Sequence, residues 1–162
     1  MRAATGLVPE GVSLKIASIA DIPLYNGDVE AKGLPAPVQA LRAEIKAADA
    51  LLLCTPEYNY SIPGVLKNAI DWASRPPEHP FAGKPIAIMG ASPGVLGTAR
   101  SQYHLRQVFI FMDGKLLNRP EVMIAGAMGK FDSQGNLTDE PTRQAIAALL
   151  ASLKAWTLQL RG

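Results

Sequence analysis

The chain has 162 residues, 48% of them hydrophobic and 19% charged, enough for one domain with a sizeable core and unlike a disordered or fibrous polymer. Sixteen basic residues against fourteen acidic ones leave a net charge of +2, with no run of Lys or Arg longer than two, so nucleic acid is not an expected partner. No apolar run nears the roughly eighteen residues that span a bilayer, so no membrane is expected, and the start lacks the charged-then-apolar layout of a signal peptide. The single cysteine excludes an internal disulfide framework and an all-Cys metal site, and the cytoplasm is the default compartment.

Residues 1–8 read as the last turns of a helix, closed by Pro9-Glu10-Gly11. Val12, Leu14 and Ile16 alternate with Ser13 and Lys15, predicting a half-exposed edge strand over 12–18. A loop rich in turn formers, Asp21 through Asp28, leads to a helix opened by Pro37, with Val38, Leu41, Ile45 and Ala48 on one face. Residues 50–54 are a continuous apolar run of strand length, the pattern of a central parallel strand covered on both faces. Thr55-Pro56 ends it, because proline cannot donate to a ladder. Ser61 is the expected N-cap of the next helix and Pro63 lies in its first turn; Val65, Leu66, Ala69, Ile70 and Ala73 then recur at helical spacing. Residues 85–89 form a second apolar strand and 90–97 a flexible loop at its carboxyl end. A helix over 100–113 turns Leu105, Val108, Phe109 and Met112 inward, and a strand follows near 121–124. Residues 132–136 are a surface turn, and Ile146, Leu149, Leu150, Leu153, Thr157 and Leu160 stripe a long final helix. Strands alternating with helices predict an α/β fold, a doubly wound parallel sheet in three layers, within one domain over residues 1–162.

In open α/β sheets ligands bind beyond the carboxyl ends of the strands. Glu57-Tyr58-Asn59-Tyr60 stands at such an end, two aromatics and two polar groups suited to a flat ligand; an ordinary polar turn is the alternative. Residues 90–97 match neither G-x-G-x-x-G nor a P-loop. His79 and His104 have no ligand-type neighbour at metal spacing, so no metal is expected, and Cys54, inside the apolar run, reads as a core residue. A serine hydrolase would need a G-x-S-x-G elbow, which does not occur. No side chain is singled out as catalytic.

Thr55-Pro56-Glu57-Tyr58-Asn59-Tyr60-Ser61-Ile62-Pro63-Gly64, with Leu66-Lys67-Asn68-Ala69-Ile70-Asp71-Trp72, closely resembles the signature of the NADPH-dependent FMN reductase family. Ile22-Pro23-Leu24-Tyr25, Ala82-Gly83-Lys84-Pro85 and Gln102-Tyr103-His104-Leu105-Arg106 resemble its chromate/quinone reductase branch, which is related to azoreductases. The resemblance implies a flavodoxin-like fold, FMN as cofactor, NADPH or NADH as donor, a small-molecule electron acceptor and a homodimer or homotetramer. It further implies that Pro56, Glu57, Tyr58, Asn59 and Tyr60 hold the flavin. Ser92 matches a family position that touches it from the second loop, a turn serine being the alternative, and Gly94 permits close backbone approach there, although glycine in a turn is common for backbone reasons alone. Backbone N–H groups suit the ring's carbonyls and nitrogens, and aromatic rings its apolar edge. Arg100, Tyr103 and Glu121 are expected in a polar network at a subunit interface, with surface solvation the alternative.

Family members begin with a strand and a Gly-Ser-x-Arg-x-x-Ser-x-Asn loop that cradles the FMN phosphate at a helix N-terminus. That pattern does not occur here. In a flavodoxin-like sheet the corresponding strand lies between residues 12–18 and 50–54. The expectation is therefore that the natural protein carries about two dozen further residues upstream, one strand–loop–helix start, and that the chain as written neither folds stably alone nor holds FMN tightly. The activity implied is that of an FMN-dependent NAD(P)H oxidoreductase, passing electrons by a ping-pong route to quinones, azo compounds or chromate-like acceptors. The alternatives are a flavodoxin-like electron carrier, against which the +2 balance argues, and an inactive flavin-free truncated form.

Overall fold

Pro85–Ala91 is the strand on which the molecule is built, and six of its seven residues are buried. The computed structural model describes residues 1–162, and in it this strand, β2, pairs in parallel with β1 (Leu51–Thr55) on one side. On the other side it pairs in parallel with two short segments, β3 (Lys115–Leu116) and β4 (Val122–Ile124). β3 lies beside Pro85 and Ile86, and β4 beside Met89, Gly90 and Ala91, so the two follow one another along a single flank of β2.

Period-two alternation divides the core. Ala87 and Met89 pack on one face with Val122, Ile124 and the stripe Ile146, Leu149, Leu150 and Leu153 of the long helix α6 (Glu140–Arg161). Ala4 joins them from the short helix α1 (Arg2–Thr5). Ile86 and Ile88 point the other way, onto Leu41 and Ile45 of α3 (Ala36–Ala47), Ala69, Ile70 and Ala73 of α4 (Gly64–Ala73), and Leu105 and Phe109 of α5 (Ala99–Phe111). The one-turn helix α2 (Gly27–Glu30) precedes α3 in the chain. The result is the three-layer parallel α/β arrangement of flavodoxin-like folds.

Several sequence expectations change here. Residues 12–18 form no strand: no ladder reaches them, although Leu14 still packs on the α6 side of the core. β1 has one ladder neighbour, as expected where no strand lies between it and residues 12–18, so it is an edge strand here rather than a central one, and Leu51, Leu52, Leu53 and Cys54 are only half-buried. Apolar content alone does not distinguish these two positions. Ser61 is not the N-cap of α4; Pro63 occupies that position with no side-chain cap, because the Ser61 hydroxyl bonds elsewhere. Val65 is 67% exposed on the outer face of α4, and Trp72, which the helical spacing omitted, is fully buried. The Trp72 indole donates to the Pro23 carbonyl at 2.9 Å and meets the Tyr25 ring edge-on at 4.8 Å, fixing the loop before α2. Leu160 is exposed near the end of the α6 stripe.

Candidate functional site

At the carboxyl end of β1 the chain turns sharply through Tyr58-Asn59-Tyr60-Ser61. Tyr58 and Ser61 exchange both backbone hydrogen bonds, at 3.1 and 3.0 Å. Asn59 and Tyr60 between them have φ of +48° and +67°. Positive φ at both central positions defines a turn that favours Asn followed by Gly. Asn59 suits the first place; a tyrosine in the second is strained by on the order of 1–3 kcal/mol, and such strain collects at functional sites.

That conformation projects two aromatic side chains into solvent, Tyr58 at 61% and Tyr60 at 67% exposure. The N–H groups of Asn59 and Tyr60 donate to nothing in the chain, and neither do those of Gly94, Val95 and Leu96 in the loop after β2. Exposed rings and unpaired donors at the carboxyl end of a parallel sheet are what the edge and carbonyls of a flavin ring require, so the residues present fit the ring half of FMN.

The other named positions serve this turn in different ways. Pro56 is exposed and its carbonyl accepts from the Thr55 hydroxyl at 2.7 Å. The Glu57 side chain is turned away from the turn, toward α5. Its carboxylate accepts from the Arg100 and Ser101 N–H groups at 3.0 and 3.2 Å and from the Arg100 guanidinium at 3.1 Å. Burial works against ionisation of this carboxyl, but the hydrogen bonds from Ser101 and Arg100 outweigh it and hold the group below the usual carboxylate range. Ser92 donates its hydroxyl to the Gly97 carbonyl and its N–H to Ile124, so its side chain braces the second loop. The Gly94 carbonyl accepts from Gly97 and Gly126, stitching that loop to the one after β4. A Cβ on Gly94 meets nothing closer than the Ser92 hydroxyl at 3.7 Å, so glycine there answers to no crowding within the chain.

The glycines that crowding does demand are Gly90 and Gly97. A Cβ on Gly90 would lie 2.1 Å from the Thr98 hydroxyl and 2.3 Å from the Thr55 carbonyl oxygen. Gly97, at φ +59°, packs on the backbone of Met123. These contacts press the first loop, the second loop and the start of α5 into one surface.

Arg100 pairs with Glu57 rather than with Tyr103 or Glu121, so the three do not form a network within one chain. His104 bonds the Ser61 hydroxyl through Nδ1 at 2.9 Å. Cys54 is half-buried on β1, and burial pushes its thiol above the usual range, which suits a packing residue. What the sequence conceals is the partners of Arg100 and His104, which lie 43 residues away, beyond any local pattern.

A doubly wound parallel sheet with an aromatic turn and a donor-rich loop at its carboxyl end defines a flavodoxin-like cofactor protein. Comparison with known proteins narrows this. The profile of the NADPH-dependent FMN reductases matches residues 1–129. An NAD(P)H-dependent FMN reductase of Pseudomonas aeruginosa is 59% identical over 162 residues, spanning 100% of this chain and 88% of the relative. A quinone reductase of Escherichia coli K12 is 50% identical over 139 residues, 85% of this chain and 74% of the relative. Among solved structures, a flavoenzyme NAD(P)H:(acceptor) oxidoreductase from Paracoccus denitrificans superposes with a TM-score of 0.87 at 34% identity, covering 98% of this chain and 87% of that one. The chain belongs to the NADPH-dependent FMN reductase family.

Proposed function

We propose that residues 1–162 are one flavodoxin-like domain that works as an FMN-dependent NAD(P)H:quinone oxidoreductase, an enzyme rather than an electron carrier. Relatives named as FMN and quinone reductases at 59% and 50% identity support the activity. The observation that carries the site is the Tyr58–Ser61 turn, held in a left-handed conformation and presenting two rings beside unpaired backbone donors. When bound, FMN supplies a ring that accepts hydride from a nicotinamide and passes electrons to an acceptor. The protein's residues bind and orient. Tyr58 and Tyr60 would cover the apolar edge of the ring, while the Asn59 and Tyr60 N–H groups would serve its polar atoms. Pro56 and Glu57 set the angle at which the turn leaves β1, and the loop carrying Ser92 and Gly94 closes the other side with its free N–H groups. Cofactor contact from Glu57 would be through the backbone, since its carboxylate is turned toward α5 and engaged by Arg100 and Ser101.

The nicotinamide and the acceptor take one face in turn, which is a ping-pong order. Azo compounds and chromate-like oxyanions are further small-molecule acceptors of the same face. The protein works in the cytoplasm as a homodimer or homotetramer without nucleic acid or membrane partners. Large apolar side chains exposed on α5, Ile110 at 74% and Phe111 at 92%, support the assembly. No helix is long and apolar enough to cross a membrane. The test is steady-state oxidation of NADPH with a soluble quinone after FMN titration. The expected result is turnover that follows flavin loading, with parallel double-reciprocal lines. Flavin-loaded protein that oxidises no nicotinamide would overturn the assignment.

A further inference from the structure

Two side chains on successive turns of α5 grip the Tyr58–Ser61 turn at both ends. Arg100 places its guanidinium carbon 3.6 Å from the Tyr60 ring centroid while one of its nitrogens bonds Glu57 at 3.1 Å. His104, four residues on and hence on the same face of the helix, bonds Ser61 at 2.9 Å. The Glu57 carboxylate ties the chain just before the turn to two first-turn N–H groups of α5, those of Arg100 and Ser101. Thr98, the residue at the cap of that helix, accepts from the Gln102 side chain and caps no first-turn N–H, so Glu57 meets the need from outside.

The turn needs such a grip. Its own backbone bonds number two, and both central residues sit at positive φ, where Tyr60 gains nothing from being tyrosine. Left to itself, a two-residue turn of this class with a bulky second residue relaxes toward negative φ. That would swing the Tyr60 ring and turn the unpaired Asn59 and Tyr60 N–H groups away. The Arg100 guanidinium suits its double duty: one edge of its planar fork meets a carboxylate while its face lies on an aromatic ring.

We infer that Arg100, assisted by His104, is a positioning residue for the flavin-binding turn: it preorganises Asn59 and Tyr60 in the left-handed conformation before any ligand arrives. Neither acts as a catalytic residue. What the turn binds rests on the functional reading above; that the turn is held by α5 stands apart from it.

The test has two arms. In the first, hydrogen exchange is followed on the flavin-free protein over residues 57–61 in wild type, Arg100→Met, Arg100→Lys and His104→Leu. The Tyr58 and Ser61 amides, which close the turn, are expected to exchange about tenfold faster in Arg100→Met, the equivalent of roughly 1.4 kcal/mol in the opening equilibrium. A smaller acceleration is expected in His104→Leu. Arg100→Lys is expected to recover part of the loss, since it keeps the charge near Tyr60 and Glu57 but lacks the planar fork. Amides of β2 should be unchanged, which separates a loosened turn from a destabilised fold. In the second arm, FMN affinity is measured by fluorescence quenching in Arg100→Met, Tyr60→Gly and the double variant. Arg100→Met should weaken binding about tenfold in the natural background and under threefold in the Tyr60→Gly background, where the glycine adopts positive φ unaided and has no ring to hold. Unchanged exchange at Tyr58 and Ser61 in Arg100→Met, or an equal affinity loss in both backgrounds, overturns the inference. Faster exchange in a protein whose wild type takes up no flavin would instead overturn the functional reading and leave the grip on the turn standing.

Discussion

Removing the Glu57 carboxylate tests the joint between the first loop and α5 directly. Its three hydrogen bonds, at 3.0, 3.2 and 3.1 Å, include the second and third N–H groups of a thirteen-residue helix that has no side-chain cap of its own. Loss of a capping acceptor costs about 1 kcal/mol. Loss of a negative charge at a helix N-terminus adds about 0.3–1 kcal/mol. Glu57→Ala also releases the Arg100 guanidinium, so the whole change comes to about 2 kcal/mol. In a domain of this size each kcal/mol moves Tm by roughly 2–4 °C, which puts the expected fall at about 4–8 °C. Glu57→Gln keeps one acceptor oxygen and loses the charge, so it should fall about half as far. The sign with pH follows from the lowered titration of Glu57 in the fold. A carboxylate that titrates lower when folded contributes fully above its unfolded pKa, about 4.3, and loses the contribution as pH drops through the folded value. The assay is thermal melting by circular dichroism on wild type and both variants, at neutral pH and in steps below pH ~5. The wild-type advantage should narrow steadily in acid. Melting of Glu57→Ala within about 1 °C of wild type at neutral pH, or a gap that persists unchanged in acid, would refute the reasoning.

Gly90→Ala should destabilise by about 1–3 kcal/mol, because the new Cβ would press on the Thr55 carbonyl oxygen, which is backbone and gives way only with the strand. Gly94→Ala should leave melting unchanged, since a Cβ there meets no crowding; equal melting of the two variants would contradict the packing described. Asp139, at the N-cap of α6, accepts from Lys130 and Thr142, which pull its carboxyl down to about 2. Its share of stability is therefore expected to be complete above about pH 4 and lost as pH falls toward 2, and the melting difference of Asp139→Ala should vanish over that window.

Much of this architecture is readable from residue order. The buried alternation in β2, the faces of α3 and α5 and the stripe of α6 from Ile146 to Thr157 all follow from spacing, because helices and strands impose their own periods on side-chain direction. The Glu57–Tyr60 corner was legible too, since an apolar run broken by Thr55-Pro56 places it at a strand end. What spacing does not carry is which strand has two neighbours. The stretches 51–54 and 85–89 are equally apolar, yet only β2 is flanked on both sides, and residues 12–18 alternate like a strand without joining a ladder.

The order of residues by itself determined an α/β chain with an aromatic corner beyond its first long apolar run, because periodicity and proline are local signals. Only the tertiary structure decided that Glu57 faces inward to α5 and that Ser61 bonds His104 instead of capping α4. It also decided that Tyr60 sits at positive φ beneath a guanidinium. Each of those depends on where a helix some forty residues away comes to rest, and that position is set by the burial of Leu105 and Phe109 against the sheet, not by anything written beside the turn.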